Sequence, residues 1–143
     1  MTMAASHQSE RAKMANAAKI LNAVHIYLLD DDEAVCDALA TILELHGAKV
    51  QTFSSLSETR NARLDGHPGI LLFDVQLLDG LGQDLLVELR GRGVATPAIL
   101  MSGRAEIDEL EPIMEHCEFV LEKPVDGDEL ATRIAALVAA APG

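Results

Sequence analysis

Five polar residues stand where short apolar runs of the chain end, and their types suit phosphate and metal chemistry. Asp30 and Asp31 follow the first run, Asp74 follows the second, and Ser102 and Lys123 end two later ones. Carboxylate oxygens bind hard divalent cations, whereas hydroxyl and ammonium groups donate hydrogen bonds to phosphate. Magnesium is favoured over calcium, because few protein oxygens are offered and a phosphate and waters need room. The pattern therefore predicts a phosphoryl site with a magnesium ion.

Ordinary structural explanations exist for some of these positions. The acidic triplet 30–32 can form a turn and an N-cap, and Ser102 can lie in a plain turn. Asp74 is harder to explain in that way, since its charge would repel the triplet unless a cation intervened. A carboxylate can also act as a nucleophile and accept a phosphoryl group as an acyl phosphate. Lys123 precedes a proline, which favours an extended backbone, and we expect its ammonium to point into the acidic cluster.

The apolar runs alternate with segments of helical periodicity, which predicts an α/β fold. Five runs have the character of strands and each is followed by a helix, so we expect a doubly wound (βα)5 sheet of five parallel strands. The carboxyl ends of parallel strands share one edge, where such sheets bind ligands. Pro112 lies inside the fourth helical segment and predicts a kink or a new helix start there. The predicted strands are 24–29, 48–53, 70–73, 98–101 and 119–122.

Composition narrows the function further. A chain of 143 residues with 49% hydrophobic and 3% aromatic residues predicts one domain with an aliphatic core. The net charge of −12 argues against direct nucleic-acid binding, and no run approaches the ~20 apolar residues of a membrane span. Cys36 and Cys117 lack metal-ligand spacing and are expected to be free thiols in a reducing cytoplasm.

The start of the chain differs from the rest. Residues 1–22 are rich in alanine and small polar residues, and 12–21 could form a helix that would be marginal in water. We expect 1–22 to be a flexible N-terminal extension, with a partner-docking arm as the alternative, and 23–143 to form the domain.

Over about residues 24–140 the chain resembles the receiver domain of bacterial two-component response regulators. The resemblance rests on four segments: Leu-Leu-Asp-Asp-Asp-Glu-Ala-Val, Leu-Leu-Phe-Asp-Val-Gln-Leu-Leu-Asp-Gly-Leu-Gly, Met-Ser-Gly and Leu-Glu-Lys-Pro. It implies the flavodoxin-like strand order 2-1-3-4-5. Since no room remains after the last helix for an output domain, we expect a stand-alone receiver.

The resemblance also implies roles for the polar residues. Asp74 would be the phosphorylated aspartate, and Asp30 and Asp31 the acidic pair, with Asp31 the more direct magnesium ligand. Asp74 would also bind the ion, and Gln76, two residues later, would supply its backbone carbonyl. Ser102 would be the switch hydroxyl that bonds a phosphate oxygen.

Lys123 would be the lysine that neutralises the phosphoryl group. The implied partners are a sensor histidine kinase or phosphotransfer protein and a downstream protein target, with a homodimer possible, no direct nucleic acid and no membrane. Such a domain is cytoplasmic and catalyses only its own phosphorylation and dephosphorylation, so it is not otherwise an enzyme.

Three features depart from the family pattern. Leu78 stands where the family usually has proline, and Val120 stands where it usually has an aromatic switch residue, with Phe119 one position away. The segment between Ser102 and the lysine is slightly short and contains Pro112. We therefore predict an intact phosphorylation site and an atypical signalling face.

Three other functions remain open from the residues. The triplet 30–32 contains an Asp-x-Asp pair, as in phosphatases of the aspartyl-phosphate type, but the chain has no room for their usual cap. A nucleotide-binding module is disfavoured because the first strand leads into acids rather than a glycine-rich loop. The last possibility is a receiver-like interaction domain that does not take phosphate.

Overall fold

A computed structural model describes residues 20–140, and its centre is a five-stranded parallel sheet. The sheet order is β2-β1-β3-β6-β7, which confirms the predicted order 2-1-3-4-5 of the parallel strands. A separate antiparallel pair, β4 and β5, follows β3. The strands are β1 His25–Leu29, β2 Lys49–Phe53, β3 Gly69–Asp74, β4 Gln76–Leu77, β5 Gly80–Leu81, β6 Ala98–Ser102 and β7 Phe119–Glu122.

Helices cover both faces of the sheet, as expected for a doubly wound fold. Side chains alternate along each strand, so Ile26 and Leu28 pack on one face while Tyr27 and Leu29 pack on the other. The first face is covered by α1 and α4, and the second by α2, α3 and a 3-10 segment. Their bounds are α1 Glu33–Leu45, α2 Leu56–Arg60, α3 Gly82–Gly91, the 3-10 segment Arg104–His116 and α4 Gly127–Ala140.

Local signals in the sequence set the ends of the helices. The Asp32 carboxylate accepts a hydrogen bond from the Val35 amide at 3.1 Å and caps α1, which ends before Gly47 at a φ of 96°. Asp126 caps α4 by accepting from the amides of residues 128 and 129. Ser55 caps the short helix α2, which ends at Arg60. The Asn61 side chain donates to the Ser57 carbonyl at 3.0 Å there, and such a local bond competes with helix continuation.

The 3-10 segment departs most from expectation. No new helix starts at Pro112, because 3-10 turns run from Arg104 to His116 with the proline inside them; the predicted kink stays a prediction. Leu110 is the only fully buried side chain of the segment, so tertiary packing adds little stability to an α-helical conformation here. Arg90 holds the end of the segment by donating from Nε and Nη2 to the His116 carbonyl at 3.1 and 2.8 Å.

Leu21, near the start of the described residues, belongs to the core. Leu21 is completely buried, and its amide donates to the His46 carbonyl at 2.8 Å, so the folded part of the chain begins before residue 23. Residues 1–19, which hold most of the expected extension and its candidate helix, lie outside the described residues.

Both cysteines are free thiols, as predicted, with Cys36 buried and Cys117 half-buried. Within residues 20–140 no helix is long and apolar enough to cross a membrane.

Candidate functional site

Three aspartates meet at the carboxyl edge of the sheet. Asp30 directly follows β1, Asp74 is the last residue of β3, and these strands are hydrogen-bonded neighbours. One carboxylate oxygen from each of Asp30, Asp31 and Asp74 lies within 4.8 Å of the others. Asp30 and Asp74 are buried, whereas Asp31 is half-buried at the mouth of the site. The structure therefore brings together the three carboxylates that the sequence singled out.

Lys123 supplies the positive charge of the site. Its Nζ lies 2.7 Å from Oδ2 of Asp74 and 3.5 Å from Oδ2 of Asp30. The residue directly follows β7, and its amide donates to the Ser102 carbonyl at 2.8 Å, which extends the sheet register by one residue. The side chain is 31% exposed, so the ammonium lies between the buried carboxylates and solvent.

The site carries three carboxylates against one ammonium, an excess of two negative charges. Burial raises the pKa of Asp74, and the Asp30 charge adds to this, although the Lys123 ammonium and the Gln76 amide oppose it. Burial alone would lower the pKa of Lys123, but the hydrogen bond and charge of Asp74, together with Asp30, raise it. The raised pKa of Asp74 favours the neutral carboxyl group, whereas the raised pKa of Lys123 favours the charged ammonium. The contact of only 2.7 Å favours the ionised pair at neutral pH.

The donor set fits a hard divalent cation. The group consists of oxygen ligands, carries excess negative charge, and opens to solvent on the Asp31 side, so that waters can complete a coordination shell. Asp30, Asp31 and Asp74 could hold such an ion. The Gln76 amide donates to Oδ1 of Asp74 at 3.2 Å, which places this residue at the site, and its carbonyl as a metal ligand stays a prediction.

Ser102 lies on the strand next to Asp74. It is the last residue of β6 and is 1% exposed, and β6 pairs with β3 so that Asp74 is opposite Met101. Its Oγ donates to the Gly103 carbonyl at 3.0 Å. The structure thus places the hydroxyl at the same edge as the carboxylates, and its contact with a phosphate oxygen stays a prediction.

Backbone donors complete the site, and sequence reasoning missed them. The Asp32 amide donates to Oδ1 of Asp30 at 2.9 Å, and the Leu78 amide donates to Oδ2 of Asp31 at 2.7 Å. Every residue other than proline carries an N–H group, so residue types give no sign of which one will point at a carboxylate. The one available signal was that position 78 is not a proline.

The aromatic residue near the lysine points away from the 3-10 segment. Phe119 packs on the face of the sheet covered by α1 and α4, where the Arg133 guanidinium lies 3.9 Å from its ring centroid. Val120, which takes the expected switch position, packs on the opposite face with Leu110 and Ile113 of the 3-10 segment. This face therefore has an aliphatic residue at the position where the family resemblance implies an aromatic switch residue.

Comparisons with known proteins agree with this geometry. A family model described as the response regulator receiver domain matches residues 26–135. The chain is similar to the response regulator protein TodT of Pseudomonas putida, with 31% identity over 95% of this chain and 56% of that protein. It is also similar to the transcriptional regulatory protein FixJ of Azorhizobium caulinodans, with 31% identity over 71% of this chain and 48% of that protein. The chain thus spans about half the length of these curated relatives.

Solved structures show the same fold. A CheY-like receiver domain protein from Methanospirillum hungatei has a TM-score of 0.72 and 25% identity, covering 80% of this chain and 93% of that one. The structure named FixJ-N has a TM-score of 0.73 and 22% identity, covering 84% of this chain and 97% of that one. Nothing in the fold or in these likenesses favours a phosphatase or a nucleotide-binding module.

Proposed function

This chain belongs to the response-regulator receiver family, and on that premise we propose that Asp74 accepts a phosphoryl group in a magnesium-dependent reaction. Receiver domains are the phosphoacceptor modules of two-component signalling, and the family match covers most of the chain. The observation that carries the assignment of Asp74 is its contact with Lys123, 2.7 Å away, inside a cluster of three carboxylates. Asp30 is more deeply buried and lies 3.5 Å from the ammonium, and Asp31 is nearer to solvent, so Asp74 has the shorter of the two contacts with Lys123.

In the proposed reaction a carboxylate oxygen of Asp74 bonds to the phosphorus of a phosphohistidine. The phosphorus–nitrogen bond breaks, and the imidazole nitrogen takes a proton from solvent. The product is an acyl phosphate on Asp74. Burial makes the carboxylate more basic than an exposed aspartate, and the ammonium of Lys123 keeps it ionised and fixes its orientation.

Asp30, Asp31 and Asp74, with the carbonyl of Gln76, would hold the magnesium ion. When bound, the ion neutralises charge on the transferring phosphoryl oxygens. Lys123 contributes a second positive charge from the opposite strand, since β7 and β1 lie on different sides of β3. The chain's own part in the reaction is therefore positioning and charge neutralisation, and it catalyses only its own phosphorylation and dephosphorylation.

Ser102 and the 3-10 segment are the parts that would respond to phosphorylation. The hydroxyl of Ser102 gives up its bond to the Gly103 carbonyl and donates to a phosphate oxygen, which pulls the start of the 3-10 segment toward the site. Because Val120, at the switch position that the family resemblance implies, is aliphatic, the response does not pass through rotation of an aromatic ring at that position. This supports an intact phosphorylation site with an atypical signalling face.

The phosphodonor would be a sensor histidine kinase or a phosphotransfer protein. An apolar groove of about 560 Å³ runs beside Lys123, between α1 and residues 124–125, and gives such a partner a surface next to the reacting carboxylate. The downstream target is a protein rather than nucleic acid, because the net charge is −12. Free thiols at Cys36 and Cys117 suit the reducing cytoplasm in which we place the protein.

A labelling experiment tests the proposal. The wild type and the Asp74→Asn variant are incubated with a small acyl phosphate and Mg²⁺, and bound phosphate is measured by intact-protein mass spectrometry. We expect the wild type to gain one phosphoryl group and the variant none. Multiple turnover of a generic phosphate ester would instead favour a phosphatase, and no uptake by the wild type would support a receiver-like domain without phosphorylation.

A further inference from the structure

The hydrogen bond between the Leu78 amide and Asp31 links two segments that are far apart in sequence. The amide donates to Oδ2 of Asp31 at 2.7 Å, a short distance typical of bonds to an ionised carboxylate. Within residues 20–140 we find no other hydrogen bond or ion pair to this carboxylate. The orientation of Asp31 in the described part of the chain therefore depends on one backbone donor.

The other two carboxylates of the cluster are held more firmly. Asp30 accepts from the Asp32 amide at 2.9 Å and lies 3.5 Å from the Lys123 ammonium. Asp74 accepts from Lys123 and from the Gln76 amide. Both are buried, whereas Asp31 is half-buried at the mouth of the site. Of the three, Asp31 has the most freedom to turn into solvent if its donor is lost.

The donor itself is held in place by the β4–β5 hairpin. Next to Leu78, Oδ1 of Asp79 accepts a hydrogen bond from the Leu56 amide at 3.2 Å, which ties the tip of the hairpin to the start of α2. The hairpin closes where the amide of Gly82 donates to the Val75 carbonyl at 2.8 Å. The amide therefore stays in position without help from Asp31.

The side chain of Leu78 takes no part in this contact. It is 96% exposed, so its contribution to the site comes through the backbone alone. Proline is the only residue that removes the N–H group. The preceding residue, Leu77, lies in β4 and is extended, which is the conformation that a residue before proline prefers. We therefore expect a proline at 78 to keep the hairpin and to remove the donor.

We propose that the Leu78 amide is a positioning group that holds the Asp31 carboxylate toward Asp30 and Asp74 and so increases the affinity of the site for Mg²⁺. The bond uses one oxygen of Asp31 and leaves the other for the cation. Donors that orient a metal ligand raise affinity because the ligand loses less freedom when the metal binds. The inference rests on the proposed function only in taking Asp31 as a metal ligand.

Calorimetric titration with Mg²⁺ tests this role in the full chain. Loss of an orienting partner weakens metal binding by about tenfold in typical sites, and we expect that loss in Leu78→Pro. Leu78→Ala is the matched variant, since it removes the exposed side chain but keeps the donor, and it should retain wild-type affinity. Equal affinity of the proline variant and the wild type would overturn the proposal, as would an equal loss in the alanine variant.

A second variant separates the donor from any change in loop shape. Replacing the residue-78 amide by an ester, with the leucine hydroxy acid, removes the N–H group and keeps the side chain and the chain direction. Affinity for Mg²⁺ should fall as in the proline variant, while the circular dichroism spectrum stays that of the wild type. An ester variant that binds Mg²⁺ as tightly as the wild type refutes the positioning role even if Leu78→Pro unfolds.

The Mg²⁺ dependence of phosphoryl uptake distinguishes this inference from the proposed function. If the amide acts only through Asp31, Leu78→Pro requires more Mg²⁺ for half-maximal uptake but reaches the wild-type rate at saturation. A wild type that neither binds Mg²⁺ nor takes up phosphate contradicts the proposed function itself. A wild type that does both, beside a proline variant with the same Mg²⁺ requirement, overturns the positioning role alone.

Discussion

Replacing Asp74 with asparagine should make the metal-free protein more stable. The site holds Asp30, Asp31 and Asp74 with oxygens within 4.8 Å of one another, and only Lys123 to balance them. Asparagine has nearly the shape of aspartate and still offers an oxygen to the ammonium. The substitution therefore removes one negative charge from a crowded, buried cluster and changes little else.

The magnitude follows from the distances. At an effective dielectric constant of about 20, a pair of like charges 4.8 Å apart repels by about 3.5 kcal/mol, and Asp74 has two such neighbours. The attraction to Lys123 at 2.7 Å is about 6 kcal/mol on the same scale, and less in practice because that side chain is 31% exposed. The two repulsions and the attraction to Lys123 roughly cancel, so the cost of burying the charged Asp74 carboxylate decides whether the substitution raises or lowers stability. We expect Asp74→Asn to raise the free energy of unfolding by about 1 to 2 kcal/mol.

The pH dependence gives this prediction a second test. The pKa of Asp74 is raised in the folded protein, first by burial and then by Asp30. Asp74 thus binds a proton more tightly in the folded protein than in the unfolded chain. The stability that this tighter binding gives the wild type is present below the unfolded pKa of about 3.9 and is lost as the pH rises through the folded pKa. The advantage of the asparagine variant should therefore be absent near that lower pH and grow toward neutrality.

Urea unfolding followed by circular dichroism, with a chelator present, measures the difference directly. Asp108→Asn in the 3-10 segment is the control, because that carboxylate is exposed and its removal should change stability little. In excess Mg²⁺ the advantage should shrink or reverse, since a bound ion stabilises the folded wild type by mass action. An Asp74→Asn variant that is less stable than the wild type in chelator at neutral pH would refute the electrostatic reasoning.

Three further substitutions test other parts of the account. Lys123→Met leaves two buried carboxylates without their cation and should lower the free energy of unfolding by about 2 kcal/mol, a value discounted for the exposure of the lysine. The exposed Lys49→Met variant is the control. The Lys123→Met variant should still bind Mg²⁺ in calorimetry but take up phosphate poorly. Arg90→Ala removes four hydrogen bonds to backbone carbonyls. It should lower the free energy of unfolding by about 3 kcal/mol and speed amide exchange in the 3-10 segment. The exposed Arg92→Ala variant should do neither. Ser102→Ala should still accept a phosphoryl group, but its amide NMR spectrum should show no phosphorylation-dependent shifts in the 3-10 segment, and retained shifts would contradict the switch role.

The positions of the candidate site residues could be predicted because they depend on strand ends. An apolar run that stops at Asp30 or Asp74 marks the edge of a buried strand, and parallel topology brings such edges together. The same reasoning placed Ser102 and Lys123, since β6 and β7 continue the sheet in order. The helix caps at Asp32 and Asp126 were predictable for a similar reason, because a short polar side chain before an amphipathic segment acts locally.

Features that depend on distant backbone groups could not be predicted. The β4–β5 hairpin is not among the predicted strands, and the approach of Gly82 to the Asp74 carbonyl leaves no space for a side chain. The 3-10 geometry of residues 104–116 reflects weak burial around Leu110 rather than the single proline. The sequence could not predict that the Leu78 amide donates to Asp31, because its partner lies 47 residues away and any residue but proline carries an amide N–H.

The most direct test of the central claim is to locate the phosphoryl group in the chain. Wild-type protein treated with a small acyl phosphate and Mg²⁺ is reduced with borohydride, which converts an aspartyl phosphate to homoserine, and the modified residue is identified by peptide mass spectrometry. We expect homoserine at position 74, dependent on both phosphodonor and Mg²⁺. Modification at Asp30 or Asp31 instead, or no modification at all, would contradict the assignment of Asp74 as the phosphoacceptor.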